Sequence, residues 1–551
     1  MIRNPILPGF NPDPSIVRVG GDYYIATSTF EWYPGVQIHH SRDLVHWRLL
    51  TRPLRRASQL DMLGDPDSCG VWAPCLTHSD GLFWLIYTDV KRYGRTTVGG
   101  ASGASLRDFH NFLVTCPTIH GEWSDPVYLN SSGFDPSLFH DDDGRKYLVN
   151  MLWDHRPGRN RFGGIVLQEY SSAQRRLIGE RQNIFAGTAI GLTEAPHLYR
   201  RNGYYYLLTA EGGTGWGHAI TMARSNALTG PYELHPDKYI ITARDRPDAP
   251  LQRAGHGDLV ETPGGDTYAV YLCGRPLANR GRCVLGRETA IQKMAWGSDG
   301  WLRTLDGTGM PELETPAPDL PAALPAAPLD VASGATVARE DFDGTQLPID
   351  FQWLRSPFPE ELFSLAARPG YLRLFGRETI GSLFRQSLVA RRQQAHCYSA
   401  ITAMEFEPRH FQQAAGLVCY YNQSKFHYLH VSHDETHGRH LRVMSCLPDS
   451  PQSDAFTTPL PIPSGRIELR VEVDCERLRC AYRIDGAWQF LPEVFDASIL
   501  SDEATTPGAP NFTGAFVGMA CQDISGTAHA ADFDWFEYRE RPYVRSLEEP
   551  R

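Results

Sequence analysis

Apolar and polar positions in the first 300 residues follow one pattern that occurs five times. Each copy has a short apolar segment, a turn that contains glycine, aspartate or asparagine, and a second apolar segment rich in aromatic residues. Gly-Gly, Asp-Gly and Asn-Gly turns supply the positive φ angles that tight hairpins need. The pattern predicts five strand–turn–strand units, which begin at Asp13, Trp72, Phe134, Glu194 and His256.

The five copies follow one another at intervals of about 60 residues. This interval is too long for one hairpin, and it suits a four-stranded sheet with its loops. Five such sheets arranged around an axis form a five-bladed β-propeller. A β-sandwich would also contain many strands, but it would not repeat one motif five times. We therefore predict an all-β fold whose N-terminal part, residues 1–310, is a five-bladed propeller.

The repeats predict which side chains meet. The first strand of each blade lines the propeller axis, so equivalent positions converge there. One aligned column reads Asp13, Ala73, Asp135, Ala195 and Gly257, and the column before it reads Pro12, Trp72, Phe134, Glu194 and His256. We expect the carboxyl groups of Asp13, Asp135 and Glu194 to face one mouth of the channel, with Trp72 and His256 beside them.

Three neighbouring carboxyl groups raise one another's proton affinity, which makes their convergence unfavourable. Their convergence therefore indicates a function, either catalysis or the binding of a cation. Glycoside hydrolysis uses one carboxylic acid to protonate the leaving oxygen and one carboxylate to activate water or attack the sugar. Glu194 is the best candidate for the acid, Asp13 for the base, and Asp135 for a group that orients the acid and sets its pKa. The alternative is a calcium site, with His256 close to the ion.

Aromatic residues near the predicted first strands favour a sugar ligand. Phe30, Trp72 and Trp153 offer flat faces that suit the apolar side of a sugar ring, although each is also compatible with a core position. Arg287 is a candidate donor to sugar hydroxyl groups, with a surface ion pair as its alternative.

The C-terminal part of the sequence predicts a second β domain. Six prolines among alanines between Pro311 and Pro328 indicate a stiff linker over residues 311–335. Beyond the linker, residues 467–473 alternate apolar and polar side chains, which is typical of a half-buried strand. We predict a β-sandwich over residues 336–551, which is either a carbohydrate-binding module or a domain that shapes the propeller site. Phe512 lies in a loop-like stretch and is a candidate for closing the pocket.

Composition disfavours several classes of protein. The chain has 551 residues and a net charge of −11, which disfavours a nucleic-acid partner. No apolar run approaches the ~20 residues of a membrane helix, and the first residues lack the features of a secretory signal. The 11 cysteines have no regular spacing, which favours reduced thiols and a cytoplasmic location.

Five motifs, taken together, resemble one known family. They are NPDPSI at 11–16, STFEWYPGV at 28–36, VWAP at 71–74, GFDPSL at 133–138 and TEAPH at 193–197. The whole chain resembles the two-domain β-xylosidases of glycoside hydrolase family 43. The resemblance implies exo-acting, inverting hydrolysis of β-1,4-xylo-oligosaccharides that releases xylose from the non-reducing end. It also implies α-L-arabinofuranosidase side activity, as in many relatives, and a homo-oligomer, either a dimer or a tetramer.

The same resemblance implies residue roles. Asp13 matches the general base, Glu194 the general acid and Asp135 the pKa modulator. The positions that match those lining the sugar sites are Phe30, Trp72, Trp153, His256, Arg287 and Phe512. No cofactor is required on this reading, although some family members hold a calcium ion near a histidine like His256. The remaining alternatives are another five-bladed glycosidase, such as an arabinanase, and a sugar-binding propeller without catalysis.

Overall fold

A computed structural model of the protein describes residues 1–93, 106–321, 337–505 and 511–542. Within these ranges the chain is all-β apart from two short 3-10 helices, Pro359–Glu361 and Ala497–Ile499. It divides into two compact units. The first covers Met1–Gly281 and continues from Arg287 to residue 321, and the second covers Arg282–Gly286, 337–505 and 511–542. Of the predicted linker, residues 322–335 lie outside the described residues, as does position 336.

The first unit contains five antiparallel sheets in which consecutive strands are neighbours. Blade 1 consists of Ser15–Val19, Asp22–Thr27, Gln37–Ser41 and Arg48–Thr51. Blade 2 consists of Gly70–Ser79, Leu82–Arg92, Asp108–Cys116 and Val127–Asn130. Blade 3 consists of Ser137–His140, Lys146–Trp153, Phe162–Ser171 and Arg176–Phe185. Blade 4 consists of Glu194–Arg201, Tyr204–Glu211, Ala219–Ser225 and Glu233–Leu234, with Ile241–Thr242 also paired to its third strand. Blade 5 consists of Gln252–Glu261, Thr267–Gly274, Glu288–Trp296 and Leu302–Thr304.

The blades form a closed ring. The first strand of each blade contacts the first strand of the next, and that of blade 5 contacts that of blade 1. The predicted five-bladed propeller is therefore confirmed. The two ends of this unit are joined where the short strand Ile2–Arg3 pairs with Glu314–Thr315. Asn4 strengthens the junction, because its Nδ2 donates to Ile291 O at 2.7 Å and its Oδ1 accepts from Ile291 N at 2.9 Å.

Apolar side chains fill the spaces between neighbouring blades. Ile16 and Ile25 of blade 1 pack in one cluster with Val260 and Val270 of blade 5. Similar clusters join blade 4 to blade 5 and blade 2 to blade 3. Blade 5 thus packs against a neighbour on both faces, and burial on both faces favours apolar residues along the whole strand rather than strict alternation.

A buried carboxylate ties the first strands together at the axis. Asp258 of blade 5 accepts hydrogen bonds from Ser15 Oγ at 2.9 Å and Ile16 N at 2.8 Å, both in blade 1. Its other oxygen accepts from Tyr199 Oη of blade 4 at 2.5 Å and from Leu259 N at 2.8 Å. Four donors therefore satisfy one carboxylate that links three blades.

The second unit has two antiparallel sheets. In neighbour order, the first sheet contains Phe363–Ser364, Leu372–Leu374, Ala531–Glu540, Cys397–Glu405, Ile467–Asp474, Arg477–Arg483 and Gln489–Asp496, with Val337–Glu340 also paired to Ala531–Glu540. The second sheet contains Ser450–Phe456, Gly438–Leu447, Lys425–Asp434, Gln413–Asn422, Phe516–Asp523, Ser387–Arg392 and Gln352–Leu354, with Leu460–Pro461 also paired to Gly438–Leu447. The sheets pack face to face, for example where Tyr398 Oη meets Cys419 Sγ at 3.5 Å. This arrangement confirms the predicted sandwich.

We predict that Asp258→Ala lowers the free energy of unfolding of the protein by about 3 kcal/mol or more, because it leaves several buried donors without an acceptor. Urea denaturation of the full chain measures this change. Asp142→Ala, which removes an exposed carboxylate in a blade 3 turn, is the matched control and should change stability by about 0.5 kcal/mol or less. Equal effects of the two substitutions would contradict the tethering role of Asp258.

Candidate active site

Each of the five blades has a residue with left-handed backbone in or just before its first strand, and these residues form a ring. Its members are Asp13, Ala73, Asp135, Ala195 and His256, with φ angles of 56°, 37°, 53°, 50° and 48°. Residues with a Cβ atom seldom adopt this conformation, and such residues cluster at functional sites. Three members of the ring, Asp13, Asp135 and His256, have ionisable side chains. The turns at these three positions bring the side chains close together.

The ring corrects one detail of the repeat alignment. In blade 5 the residue equivalent to Asp13 is His256, not Gly257, because the regular ladder resumes at Gly257, which pairs with Tyr271. Gly257 is needed for another reason. A Cβ atom there would lie 2.6 Å from Ile220 Cδ1 and 2.7 Å from Val270 O. Glu194 therefore lies one position before the ring, whereas His256 belongs to it.

Asp13 is held by donors on both of its oxygens. Ser28 Oγ donates to Oδ2 at 2.7 Å, and Arg287 Nη1 donates to Oδ1 at 2.9 Å. Ser28 Oγ in turn accepts from Ala73 N at 2.7 Å, which fixes the hydroxyl group against blade 2. Because Asp13 is only 4% exposed, these bonds give its carboxyl group one well-defined orientation.

Asp135 and Glu194 share the pocket with Asp13, and each is 7% exposed. Burial raises the pKa of Glu194 to about 8, the charge of Asp13 adds to this, and Arg287 opposes it. Burial also raises the pKa of Asp135 well above its usual value, with further contributions from Glu194 and Asp13, while the hydrogen bond from Ala195 N at 3.1 Å opposes the shift. Glu194 is consequently protonated at neutral pH.

A second glutamate orders the segment that leads into Glu194. Glu211 is fully buried and accepts hydrogen bonds from Thr188 N at 2.8 Å and from Thr193 Oγ1 at 2.7 Å. The hydroxyl group of Thr188 donates to it as well. These bonds fix residues 188–193, and with them the entry of the chain into the first strand of blade 4.

His256 lies between the two aspartates. Its Nδ1 is 3.7 Å from Asp13 Oδ1 and 3.9 Å from Asp135 Oδ2. Burial lowers the pKa of His256 to about 4, although Asp13 opposes the shift, so the imidazole is neutral at neutral pH.

The donors around His256 do not suit calcium, which prefers about six to eight oxygen ligands. The oxygens nearest to the imidazole already accept from Arg287 and Ala195 N, and the guanidinium group supplies positive charge beside Asp13. We therefore assign no role to calcium, and no step proposed below depends on a metal ion.

Aromatic rings form one wall beside the carboxyl groups. Trp72 lies 5.5 Å from Phe30, 5.6 Å from Phe134 and 4.9 Å from Tyr93, measured between ring centroids. Trp153 joins this group at 6.4 Å from Phe134. The rings are tilted to one another by 40° to 79°, and together they form an apolar surface of the kind that sugar sites use.

Two cations border this wall. The Arg287 guanidinium group lies 5.2 Å from the Phe30 ring centroid while it bonds to Asp13. Arg107 stacks on Tyr93 at 3.6 Å and on Trp153 at 4.5 Å.

Most of the predicted site residues are connected in the first unit. Contacts or mutual electrostatic effects link the following predicted residues: Asp13, Phe30, Trp72, Asp135, Trp153, Glu194, His256 and Arg287. Phe512 belongs to the second unit, where it is half-buried.

Sequence reasoning missed four residues at or beside the site. Ser28 lies in the motif at 28–36, where its hydroxyl group could have indicated a hydrogen bond to a carboxylate. Tyr93, Arg107 and Glu211 occupy no distinctive repeat position, so no sequence signal pointed to them.

Comparison with known proteins agrees with this architecture. Residues 2–302 match the family model described as glycosyl hydrolases family 43, and residues 339–539 match the model described as the beta xylosidase C-terminal concanavalin A-like domain.

Relatives of known name match along their whole length. A "Xylosidase/arabinosidase 43B" from Humicola insolens is 53% identical, covering 98% of this chain and 97% of the relative. A "Beta-xylosidase" from Bacillus subtilis is 50% identical, covering 98% and 100%. The crystal structure of a xylan beta-1,4-xylosidase from Bacillus halodurans is 50% identical and superposes with a TM-score of 0.93, covering 98% of this chain and 100% of the other. The chain therefore belongs to glycoside hydrolase family 43.

Proposed function

We propose that this protein is an exo-acting, inverting β-xylosidase that releases xylose from the non-reducing end of β-1,4-xylo-oligosaccharides. The observation that carries the proposal is a buried Glu194, whose pKa is raised by burial and by the charge of Asp13, close to an Asp13 held by Ser28 and Arg287. Relatives named as xylosidases support xylose as the sugar that is released.

Asp13 acts as the general base. Ser28 and Arg287 each donate to a different oxygen of its carboxylate, so further lone pairs remain to accept a proton from water. The water oxygen bonds to the anomeric carbon while the glycosidic bond breaks, and its proton goes to Asp13. The fixed orientation of the carboxylate supports this role, because a base must be within hydrogen-bond reach of the water that it activates.

Glu194 acts as the general acid. A pKa of about 8 keeps its proton available at neutral pH, and the proton moves to the departing glycosidic oxygen. Asp135 takes the role of pKa modulator in this proposal, because it interacts electrostatically with Glu194 and is itself held by the backbone of Ala195. The products are xylose with inverted anomeric configuration and a shortened oligosaccharide, and one water molecule is consumed.

The sugar is held by aromatic faces and polar groups. Phe30, Trp72 and Trp153 offer their rings to the sugar, and the neutral imidazole of His256 exchanges hydrogen bonds with a hydroxyl group. Arg287 donates to a hydroxyl group as well as to Asp13. That Phe512 contributes to the sugar site stays a prediction from the sequence.

A second activity is α-L-arabinofuranosidase. The Humicola insolens relative, 53% identical, carries both xylosidase and arabinosidase in its name. Both sugars are pentoses, and in this proposal one site accepts either ring with the same acid and base.

Other expectations from the sequence stay predictions. These are a homo-oligomer, a cytoplasmic location and catalysis without a cofactor. Among the described residues, no helix has the length and hydropathy of a membrane span.

The direct test is to digest β-1,4-xylobiose with the purified full chain and to follow the first-formed xylose by NMR. We expect the α-anomer to appear first, since inversion of a β-linkage produces it. Parallel assays on an aryl α-L-arabinofuranoside, arabinan and sucrose separate the related activities. A β-anomer formed first would contradict the single-displacement mechanism, and binding of xylobiose without hydrolysis would indicate a non-catalytic propeller.

We predict that Glu194→Ala lowers kcat on xylobiose by about 10³-fold, and that it lowers kcat on a dinitrophenyl β-xyloside by about 10-fold or less. A good leaving group needs no proton, so only the unactivated substrate depends on the acid. The wild-type kcat/KM on xylobiose should fall as pH rises above about 8, and this limb should vanish in the variant. Glu180→Ala, which changes an exposed residue of blade 3, is the control. Equal losses on the two substrates would refute the acid role.

We also predict that Glu194→Gln stabilises the fold in a pH-dependent manner. The folded-state pKa of about 8 lies above the value of 4.5 for an ordinary glutamate, so the wild-type free energy of unfolding falls as pH rises from about 4.5 to 8. The amide removes this penalty, and the variant should exceed wild type by roughly 1–3 kcal/mol at pH 8 and by little at pH 4.5. Urea denaturation at both pH values, with Glu180→Gln as control, measures it. A pH-independent difference would contradict the raised pKa.

A further inference from the structure

Two cysteines and an aspartate meet at one end of the first sheet of the second unit. Cys397 begins the strand Cys397–Glu405 and pairs across the sheet with Asp474, the last residue of Ile467–Asp474. Cys475 follows directly, with an unusual φ of 56°. Cys397 is distant in sequence from the adjacent Asp474 and Cys475. None of the three belongs to the predicted catalytic motifs or to the aromatic wall.

The spacing of their donor atoms matches tetrahedral metal coordination. Cys397 Sγ lies 3.7 Å from Cys475 Sγ and 3.3 Å from Asp474 Oδ1, and the three ligand atoms all lie within 4.8 Å of one another. In a tetrahedral zinc site with Zn–S bonds of about 2.3 Å and Zn–O bonds of about 2.0 Å, the sulfurs are about 3.8 Å apart and sulfur and oxygen about 3.5 Å apart. The two distances that Cys397 Sγ makes are therefore within about 0.2 Å of these tetrahedral values.

The surrounding backbone holds the group rigidly. Cys475 N donates to His396 O at 3.0 Å, and Arg541 N donates to Cys397 O at 2.9 Å. Access is also suitable, because Cys397 is buried, Cys475 is half-buried and Asp474 is exposed. The buried Cys397 therefore anchors the ion, and solvent reaches the ion on the side of Asp474.

The charges suit a divalent cation. Once an ion has displaced the thiol protons, two thiolates and one carboxylate supply three negative charges to it. A cation has to displace the proton of each thiol, so its affinity should increase with pH.

We propose that Cys397, Asp474 and Cys475 form a site for a thiophilic divalent cation of the zinc class. Binding forms two metal–sulfur bonds and one metal–oxygen bond, releases one proton from each thiol, and leaves a fourth position to water. Residue 397 is separated from residues 474 and 475 by a long stretch of chain, so the ion joins distant segments and stabilises the folded state.

The test titrates Zn²⁺ into the reduced full chain, with a phosphine as reductant and a chromophoric chelator as competitor. We expect one high-affinity equivalent, with about a 100-fold weaker affinity in Cys397→Ser and Cys475→Ser and about a 10-fold weaker affinity in Asp474→Asn. Co²⁺ should give the visible absorption of a tetrahedral thiolate complex in wild type and lose it in both serine variants.

Controls separate this site from other metal binding and from catalysis. Cys116→Ser and Asp485→Asn change a thiol and an exposed carboxylate elsewhere, and they should leave Zn²⁺ affinity unchanged. Zn²⁺ should raise the unfolding temperature of wild type and not that of the serine variants. All variants should hydrolyse xylobiose at the wild-type rate, so the outcome is independent of the proposed function.

Two results would overturn the proposal. One is equal Zn²⁺ affinity in wild type and in the three ligand variants. The other is a Cys397–Cys475 disulfide that persists in the phosphine-treated protein, since it would leave no thiolates for the ion. Asp474→Asn is close in shape to the native residue, so the proposal stays falsifiable if a serine variant fails to fold.

Discussion

The structure of the first unit depends on closing five blades around one axis. Closure requires the five first strands to approach each other. In or just before each of these strands, the backbone turns through a left-handed residue. Non-glycine residues in this conformation cost about 1–3 kcal/mol each. The inter-blade apolar clusters and the bonds to Asp258 offset that cost. The strained turns are therefore tolerated, and they bring the side chains together at the axis.

Convergence gives neighbouring carboxyl groups different properties. Asp13 has a donor on each oxygen, one of them the guanidinium group of Arg287. Glu194 is buried close to Asp13, and burial together with the charge of Asp13 favours its protonated form. Two chemically similar groups are thus prepared for opposite roles by their surroundings, a pattern seen in acid–base catalysis generally.

Substrate choice comes from a different part of the pocket. An acid and a base of this kind serve many glycosidases, so they do not by themselves select a pentose. In the proposed function, the aromatic wall of Phe30, Trp72 and Trp153, with Arg107 stacked on its edge, is the part that limits the size and shape of the sugar. Variation in this wall, rather than in the carboxyl groups, is where xylosidase and arabinofuranosidase activities would diverge.

The five repeats and the all-β class could be predicted from the sequence, because hairpin turns and apolar periodicity are local signals. The meeting of the carboxyl groups could be predicted as well, because equivalent positions of the repeats converge at the axis. The repeat alignment misassigned Gly257 to the ring, since a single bulged residue in blade 5 shifts the register without changing composition. The roles of Ser28 and Glu211 were decided only by tertiary structure. Ser28 bonds to Ala73 of the next blade, and Glu211 bonds to Thr188 in the loop before blade 4. Only the folded chain brings those donors and acceptors together.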